Sequence, residues 1–291
     1  MTQVIEESIV ITPESVSQKT SLLLANKTQL SQGKIKEAMQ KGAVWLTRGE
    51  SKKRLRRADK ALNVGDKIDL HYNSQILNQA TPDPHLLYDA GDYTIWYKPF
   101  GLACQGSRWG DFASISRWVE SHLENLSNKP QRNTFLVHRL DRATTGLMLL
   151  CHTKNAARLF SQKFANGEVD KRYQAIVKGD FSSFPEEYKV ESLLAGKNSI
   201  SYFTCLDYHK GYSLLDVKLL TGRKHQIRKH LSELGFPIVG DRLYGDETFY
   251  SQDLQLQSVS LKFICPLKNM EMSFYIDKNL KLNLKRYLYN S

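Results

Sequence analysis

Residues 136–179 hold three structural signals in one run, LVHRLDRATTGLMLLCHTKNAARLFSQKFANGEVDKRYQAIVKG. "LMLLCHT" is a short apolar stretch that reads as a buried strand. Thr153 is placed to cap a helix over "KNAARLFSQKFA", and Asn166-Gly167 ends it. "KRYQAIVKG" returns as a second strand, with Tyr173, Ala175 and Val177 on one face and Arg172, Gln174 and Ile176 on the other. Two strands and a helix thus follow one another in close succession. His138, Arg139, Asp141 and Arg142 come just ahead of the first strand, followed by Thr144, Thr145 and Gly146. So much charge is foreign to a core strand and more than a surface loop needs. We read it as a loop on a rigid element, facing a cleft or solvent. Taken alone, Asp141 pairing with a neighbouring Arg to fix a turn explains it equally well.

A second cluster starts at Leu219, LLTGRKHQIRKHLSELGFPIVGDRLYG. Thr221-Gly222 is expected to open a helix with Ile227, Leu231 and Leu234 on its buried face, closed by Gly235 and Pro237. Arg228 lies beside that stripe, and His225, one turn earlier, can share its face. Arg223 and Lys224, next to the free N–H groups of the helix start, suit an anion. In isolation this is a phosphate-binding helix.

Charge points the same way. The 291 residues carry 41 Lys and Arg against 30 Asp and Glu, a formal charge of +11 that favours polyanions, nucleic acid first and an anionic membrane surface second. The densest basic cluster is "KKRLRRADK", residues 52–60. It is either a solvated face or a set of phosphate contacts by Lys52, Lys53, Arg54, Arg56 and Arg57. Cys104, Cys151, Cys205 and Cys265 are far apart, so neither a zinc ribbon nor a redox pair is expected, and reduced cytoplasmic thiols suffice. We expect no signal peptide, no membrane span, no metal and no cofactor.

Two domains are expected, 1–78 and 79–291. In the first, Ser31 caps a short helix with Ile35, Ala38 and Met39 as its stripe. Ala43–Thr47 forms a strand, and "NVGDKIDLHY" supplies a turn and a strand with Ile68, Leu70 and Tyr72 on one face. "NSQILNQATPDPHLLYDAGDY", with Pro82 and Pro84, reads as a linker into the second domain. A strand, an Ala-Gly-Asp turn, another strand ending at Lys98-Pro99, and the amphipathic helix "SISRWVESHLENL" follow.

These residues resemble a known family. "HRLDRATTGL" is similar to the H-R-L-D-x-x-T-S-G-L signature of the RluA-type RNA pseudouridine synthases. "KRYQAIVKG" resembles their K-x-Y-x-A-x-V-x-G segment, "YKPFGL" their N-K-P-x-G-L turn. The block from Leu219 matches their L-x-T-G-R-x-H-Q-I-R-x-H-L-x-x-x-G-x-P-I-x-G-D-x-x-Y-G pattern almost throughout. All four occur in the family's order across residues 86–265. Thr145 stands where Ser is usual, and Leu256-Gln257-Ser258 replaces Leu-His-Ala. Residues 20–75 loosely resemble the RNA-binding module named after ribosomal protein S-four, with Gln32 for the usual Arg and "VWLTRG" in place of a Val-Asn-Gly turn.

The resemblance implies the α+β or mixed α/β class, with a central mixed, largely antiparallel sheet and an active-site cleft behind a small N-terminal α+β RNA-binding domain. It implies that a uridine is turned and rejoined to its ribose through C5. Asp141 is then the essential carboxylate, attacking sugar or base or stabilising charge. Arg228 is its cation, and Tyr173 stacks on the base or moves a proton. Arg139 would fill the gap left by a flipped uridine. His138, with Leu140, shapes the loop, and Arg142 meets a flanking phosphate. Arg223, His225 and Gln226 complete the substrate contacts. The implied partner is RNA, ribosomal first and transfer second, and the protein is expected to be monomeric. Two other readings stay open: an RNA-binding or ribosome-assembly protein on the same fold, and a hydrolase or lyase using Asp141 and His138.

Overall fold

The computed structural model describes residues 2–245 and 251–290, with the Asn290 side chain left aside. Two compact units emerge: Met1–Thr81 with Gln105–Ser121, and Pro82–Cys104 with His122–Ser291.

The first unit contains β1 (Val4–Val10), α1 (Thr20–Thr28), α2 (Gln32–Gln40), β2 (Val44–Arg48), β3 (Ser51–Arg54), β4 (Lys67–Asn73) and the short α3 (Ser74–Leu77). Ser31 caps α2, its Oγ accepting from Lys34 N at 3.3 Å. The strands form an antiparallel sheet ordered β1-β4-β2-β3. Ile35, Ala38 and Met39 of α2 share a core with Leu24, Val44, Leu46, Ile68 and Leu70. The Pro-containing stretch read as a linker begins with α3, whose first turn Asn73 Oδ1 caps through Ile76 N. Residues 105–121 pack here because Asp111 pairs with Arg54 and Arg56 and its N–H donates to Lys41 O.

In the second unit lie β5 (His85–Asp89), β6 (Tyr93–Lys98), β7 (Phe135–Leu136), β8 (Thr145–Cys151), α5 (Lys154–Ala165) and β9 (Asp170–Lys178). These are followed by β10 (Tyr188–Leu194), β11 (Lys197–His209), β12 (Tyr212–Leu219), α6 (Gln226–Glu233), β13 (Leu256–Ile264), β14 (Glu271–Tyr275) and α7 (Leu284–Asn290). Helix α4 (Ile115–Ser127) runs across the division at Ser121. Among the described residues ten strands form one sheet along the path β10-β11-β12-β9-β13-β8-β6-β5, with β14 on β13 and β7 on β8. Among the described residues only β13 and β8 pair in parallel; the sheet is mixed and largely antiparallel. At that parallel contact Gly146 has φ +107°, and a Cβ there would sit 2.1 Å from Ser258 O. No side chain fits there, so the second residue of β8, just past the charged loop, is a glycine.

Thr153 caps α5 as the sequence suggests, its Oγ1 accepting from Ala156 N at 3.2 Å. The start of α6 differs from expectation. Thr221-Gly222 does not open it; the helix begins at Gln226, with His225 as N-cap in a left-handed conformation at φ +56°. Gln226 explains the delay. Its Oε1 accepts from Thr221 Oγ1 and Arg223 N, and its Nε2 donates to Ile200 O and Ser201 Oγ on β11. These bonds fold 221–225 into a turn, so Arg223 and Lys224 precede the helix instead of lying on its first turn.

Candidate active site

The site is assembled from the β7–β8 loop, β9, α6 and the turn after α6. The chain after α6 is pinned to β9 by Lys178 N donating to Pro237 O and Val239 N to Ile176 O. That pinning carries Asp241 and Tyr244 to the helix. Gly235, at φ +83°, makes the sharp stop that lets the chain turn back.

Arg228 is the hub. Its residue is 5% exposed, because three polar contacts bury a position lying off the apolar stripe. Nε and Nη2 form a two-point pair with Asp241 at 2.7 and 2.6 Å. Nη1 reaches Asp141 Oδ2 at 3.1 Å. The guanidinium also lies over the Tyr244 ring, 5.2 Å from its centroid. Burial alone would weaken the charge. The Asp241 bonds, with Asp141 behind them, outweigh it and hold Arg228 above its ordinary range.

The Asp141 side chain keeps 26% of its surface exposed. Its Oδ1 faces His225 Nε2 at 3.6 Å, and His225 Nδ1 bonds Tyr244 Oη at 2.9 Å. His225 and Arg228 therefore do share a face, and Asp141 is what they face. Burial, then the Arg228 and Lys224 charges, depress His225 against the pull of Asp141. Tyr173 is buried on β9, 7% exposed. Burial first, then the Asp141 charge, pushes its phenol above the usual range, so it is un-ionised at neutral pH.

The other predicted residues divide sharply. Arg139 is exposed. Arg142 is exposed too, with Nε donating to Gly101 O at 2.9 Å. Arg223 is exposed and donates from Nε to Asn198 O. The donors and acceptors of Gln226 are taken by the protein, as described above. His138 stacks on Phe164 at 4.4 Å, and its Nε2 accepts from Leu149 N. Burial pushes it down to about 3, so it is a neutral ring that braces the loop. That leaves little room for His138 as the acid–base partner of a hydrolase.

In the first unit the basic cluster is split by its partners. Arg54 donates to Gly42 O and Ser107 O, pairs with Asp111 and lies over Trp45 at 4.2 Å. Arg56 is tied to Gln40 O and Asp111, and Lys52 to Asp69. Lys53 and Arg57 are exposed.

Three groups escaped the reading of the sequence: Asp241, Lys98 and Cys104. Asp241 stands in the quoted run "GDRLYG", and a buried Arg needs a carboxylate. That need was the available signal.

The RNA pseudouridylate synthase family matches residues 92–233. The tRNA pseudouridine synthase C of Haemophilus ducreyi is 33% identical over 184 residues, 55% of this chain and 74% of that one. The chain belongs to the RluA-type RNA pseudouridine synthases. A second relative of the synthase, the ribosomal large subunit pseudouridine synthase D of Borreliella burgdorferi, is 30% identical over 199 residues, 61% of this chain and 60% of that one. The fold is likewise that of human RNA pseudouridylate synthase domain containing 4, at a TM-score of 0.56 and 22% identity over 66% of this chain and 88% of the other. The synthase is thus an RNA-modifying isomerase. No helix among its described residues is long and apolar enough to cross a membrane.

Proposed function

We propose that the synthase isomerises specific uridines of large-subunit ribosomal RNA, with Asp141, Tyr173 and Arg228 as its catalytic groups. The observation that carries this is the Arg228–Asp141 contact at 3.1 Å, made by an arginine already neutralised by Asp241. Arg228 is shared between two carboxylates, so Asp141 is oriented without losing its charge. Its second oxygen stays available to a sugar or base carbon. Tyr173 offers a protonated phenol and an aromatic face to the uracil. Arg139, exposed beside the carboxylate, fills the stack when the uridine leaves it.

The N-terminal unit acts as an S-four-like RNA-binding module in this reading. A cleft of about 370 Å³ lined by Lys36, Gln40, Arg56, Arg57, Ala58 and Asp59 supports it. Lys53 and Arg57 take over the phosphate contacts, since Arg54 and Arg56 are engaged within the protein. The protein works as a cytoplasmic monomer.

The test is a pseudouridine map of total RNA from the source organism with and without the gene, read by carbodiimide-dependent stops in reverse transcription. Loss of ribosomal sites, restored by wild type but not by Asp141→Asn, is the expected result. Loss of transfer RNA sites instead would move the substrate to the class named for the Haemophilus relative. Restoration by Asp141→Asn would remove Asp141 from the chemistry.

A further inference from the structure

The segment Lys98–Cys104 grips the loop carrying Asp141 on both sides of that residue. Lys98, at the end of β6, is 0% exposed. Its Nζ donates to Pro99 O at 3.1 Å, Leu102 O at 2.8 Å and Arg142 O at 3.2 Å. An ammonium has three N–H donors and no acceptor. Here each donor has its own carbonyl, and one of them belongs to the residue after Asp141. Gly101 N also donates to Arg142 O, and Arg142 Nε returns a bond to Gly101 O. On the other side, Cys104 Sγ donates to Leu140 O at 3.0 Å and accepts from Leu140 N at 3.2 Å. The peptide groups flanking Asp141 therefore have few ways to move.

We propose that Lys98 is a positioning residue for the isomerisation, its ammonium fixing the Arg142 carbonyl and with it the aim of the Asp141 carboxylate. This rests on the reading of Asp141 as the catalytic carboxylate. It also makes the rate sensitive to alkali. Burial lowers Lys98 to about 8, against the raising effect of Cys104 and Asp141 and with a small lowering one from Arg142. Burial raises the Cys104 thiol above its ordinary range. Loss of the Lys98 proton removes one of three donors and turns a nitrogen lone pair toward a carbonyl oxygen. The clamp then opens on the Arg142 side.

The test measures turnover of tritium-labelled uridine transcripts of the organism's ribosomal and transfer RNA by wild type, Lys98→Met, Lys98→Arg and Asp141→Asn across pH 6.5–9.5. A displacement of about 1 Å at a reacting group costs on the order of 100-fold. We expect Lys98→Met to lose about that much kcat with KM changed less than about threefold. The wild-type profile falls with an apparent pKa near 8, and this limb is absent from both Lys98 variants. Arginine does not titrate here, so Lys98→Arg gives the pH readout even where Lys98→Met folds poorly. A folded Lys98→Met with wild-type kcat, a defect confined to KM, or an alkaline limb near 8 that survives in Lys98→Arg overturns the assignment. An inactive Asp141→Asn beside a fully active Lys98→Met rejects Lys98 alone. An active Asp141→Asn rejects the catalytic reading itself.

Discussion

Replacing Asp241 by Asn tests the least obvious part of the site. Asp241 Oδ2 accepts from Arg228 Nε, while Oδ1 accepts from Arg228 Nη2 and from the backbone N–H groups of Leu243 and Tyr244. Every one of these partners is a donor. An asparagine must present its own NH₂ to one side of that set. Turned one way it meets Arg228 Nε; turned the other it meets three donors at once. Asp241 is 2% exposed and Arg228 5%, so water does not relieve the conflict. Breaking a buried pair by removing one charge costs about 3–5 kcal/mol. For a unit of this size that lowers the melting temperature by roughly 6–20 °C. The Arg228 bonds and the two backbone donors hold Asp241 below its ordinary range despite burial. The lost stability is therefore fully present at neutral pH and disappears only in acid. Urea unfolding of Asp241→Asn and wild type at pH 7, read by tryptophan fluorescence, gives the difference. A loss below about 1 kcal/mol would refute the reasoning, because it would mean that Arg228 is neutralised without Asp241.

The remaining expectations are simpler. Lys98 titrates near 8 when folded and at its ordinary 10.5 when unfolded, so between those values the unfolded chain holds more protons and stability rises with pH. Wild type should gain up to about 3 kcal/mol over Lys98→Met across that window, and equal slopes in urea unfolding would remove the buried charge from the account. Arg139→Ala should slow modification of a structured RNA by at least about tenfold while sparing a short unpaired oligonucleotide; equal loss on both excludes a role in filling the stack. Lys53→Ala with Arg57→Ala should reduce the salt dependence of RNA affinity by a slope of about 2 and leave kcat alone, and an unchanged slope in filter binding would place the phosphates elsewhere.

Features fixed by neighbouring residues were legible in the sequence. Ser31 and Thr153 cap helices because the bond each makes spans three residues, and Asn166-Gly167 or Gly235 ends a helix for equally local reasons. Strand β9 declared itself by composition, and from Tyr173 to Val177 both of its faces are buried. Features decided at long range were not. β1 escaped notice because its inward face, Ile5, Glu7 and Ile9, is only half-buried and carries a charge at its centre, and Glu6 and Glu7 break the apolar run. The beginning of α6 depends on Ile200 and Ser201 of β11 through Gln226, and no pattern near Thr221 announces it. Arg54 and Arg56 read as free phosphate ligands because Asp111, which takes them, lies some fifty residues further along.

The same distinction explains why the residue types of the site could be named but not their division of labour. Arg228 and Asp141 are far apart in the chain, and either could have paired with a closer partner. Asp241 decides the matter: it occupies two guanidinium donors and leaves Nη1 for Asp141. Were Arg228 to serve Asp141 alone, a two-point pair would neutralise the carboxylate and bind both of its oxygens. With Asp241 present the three groups carry one net negative charge. Asp141, the most exposed of them, is the one able to bring it to a substrate. On the proposed role of Asp141, Asp241 therefore supports the chemistry from a buried position, by limiting Arg228 to one bond toward Asp141.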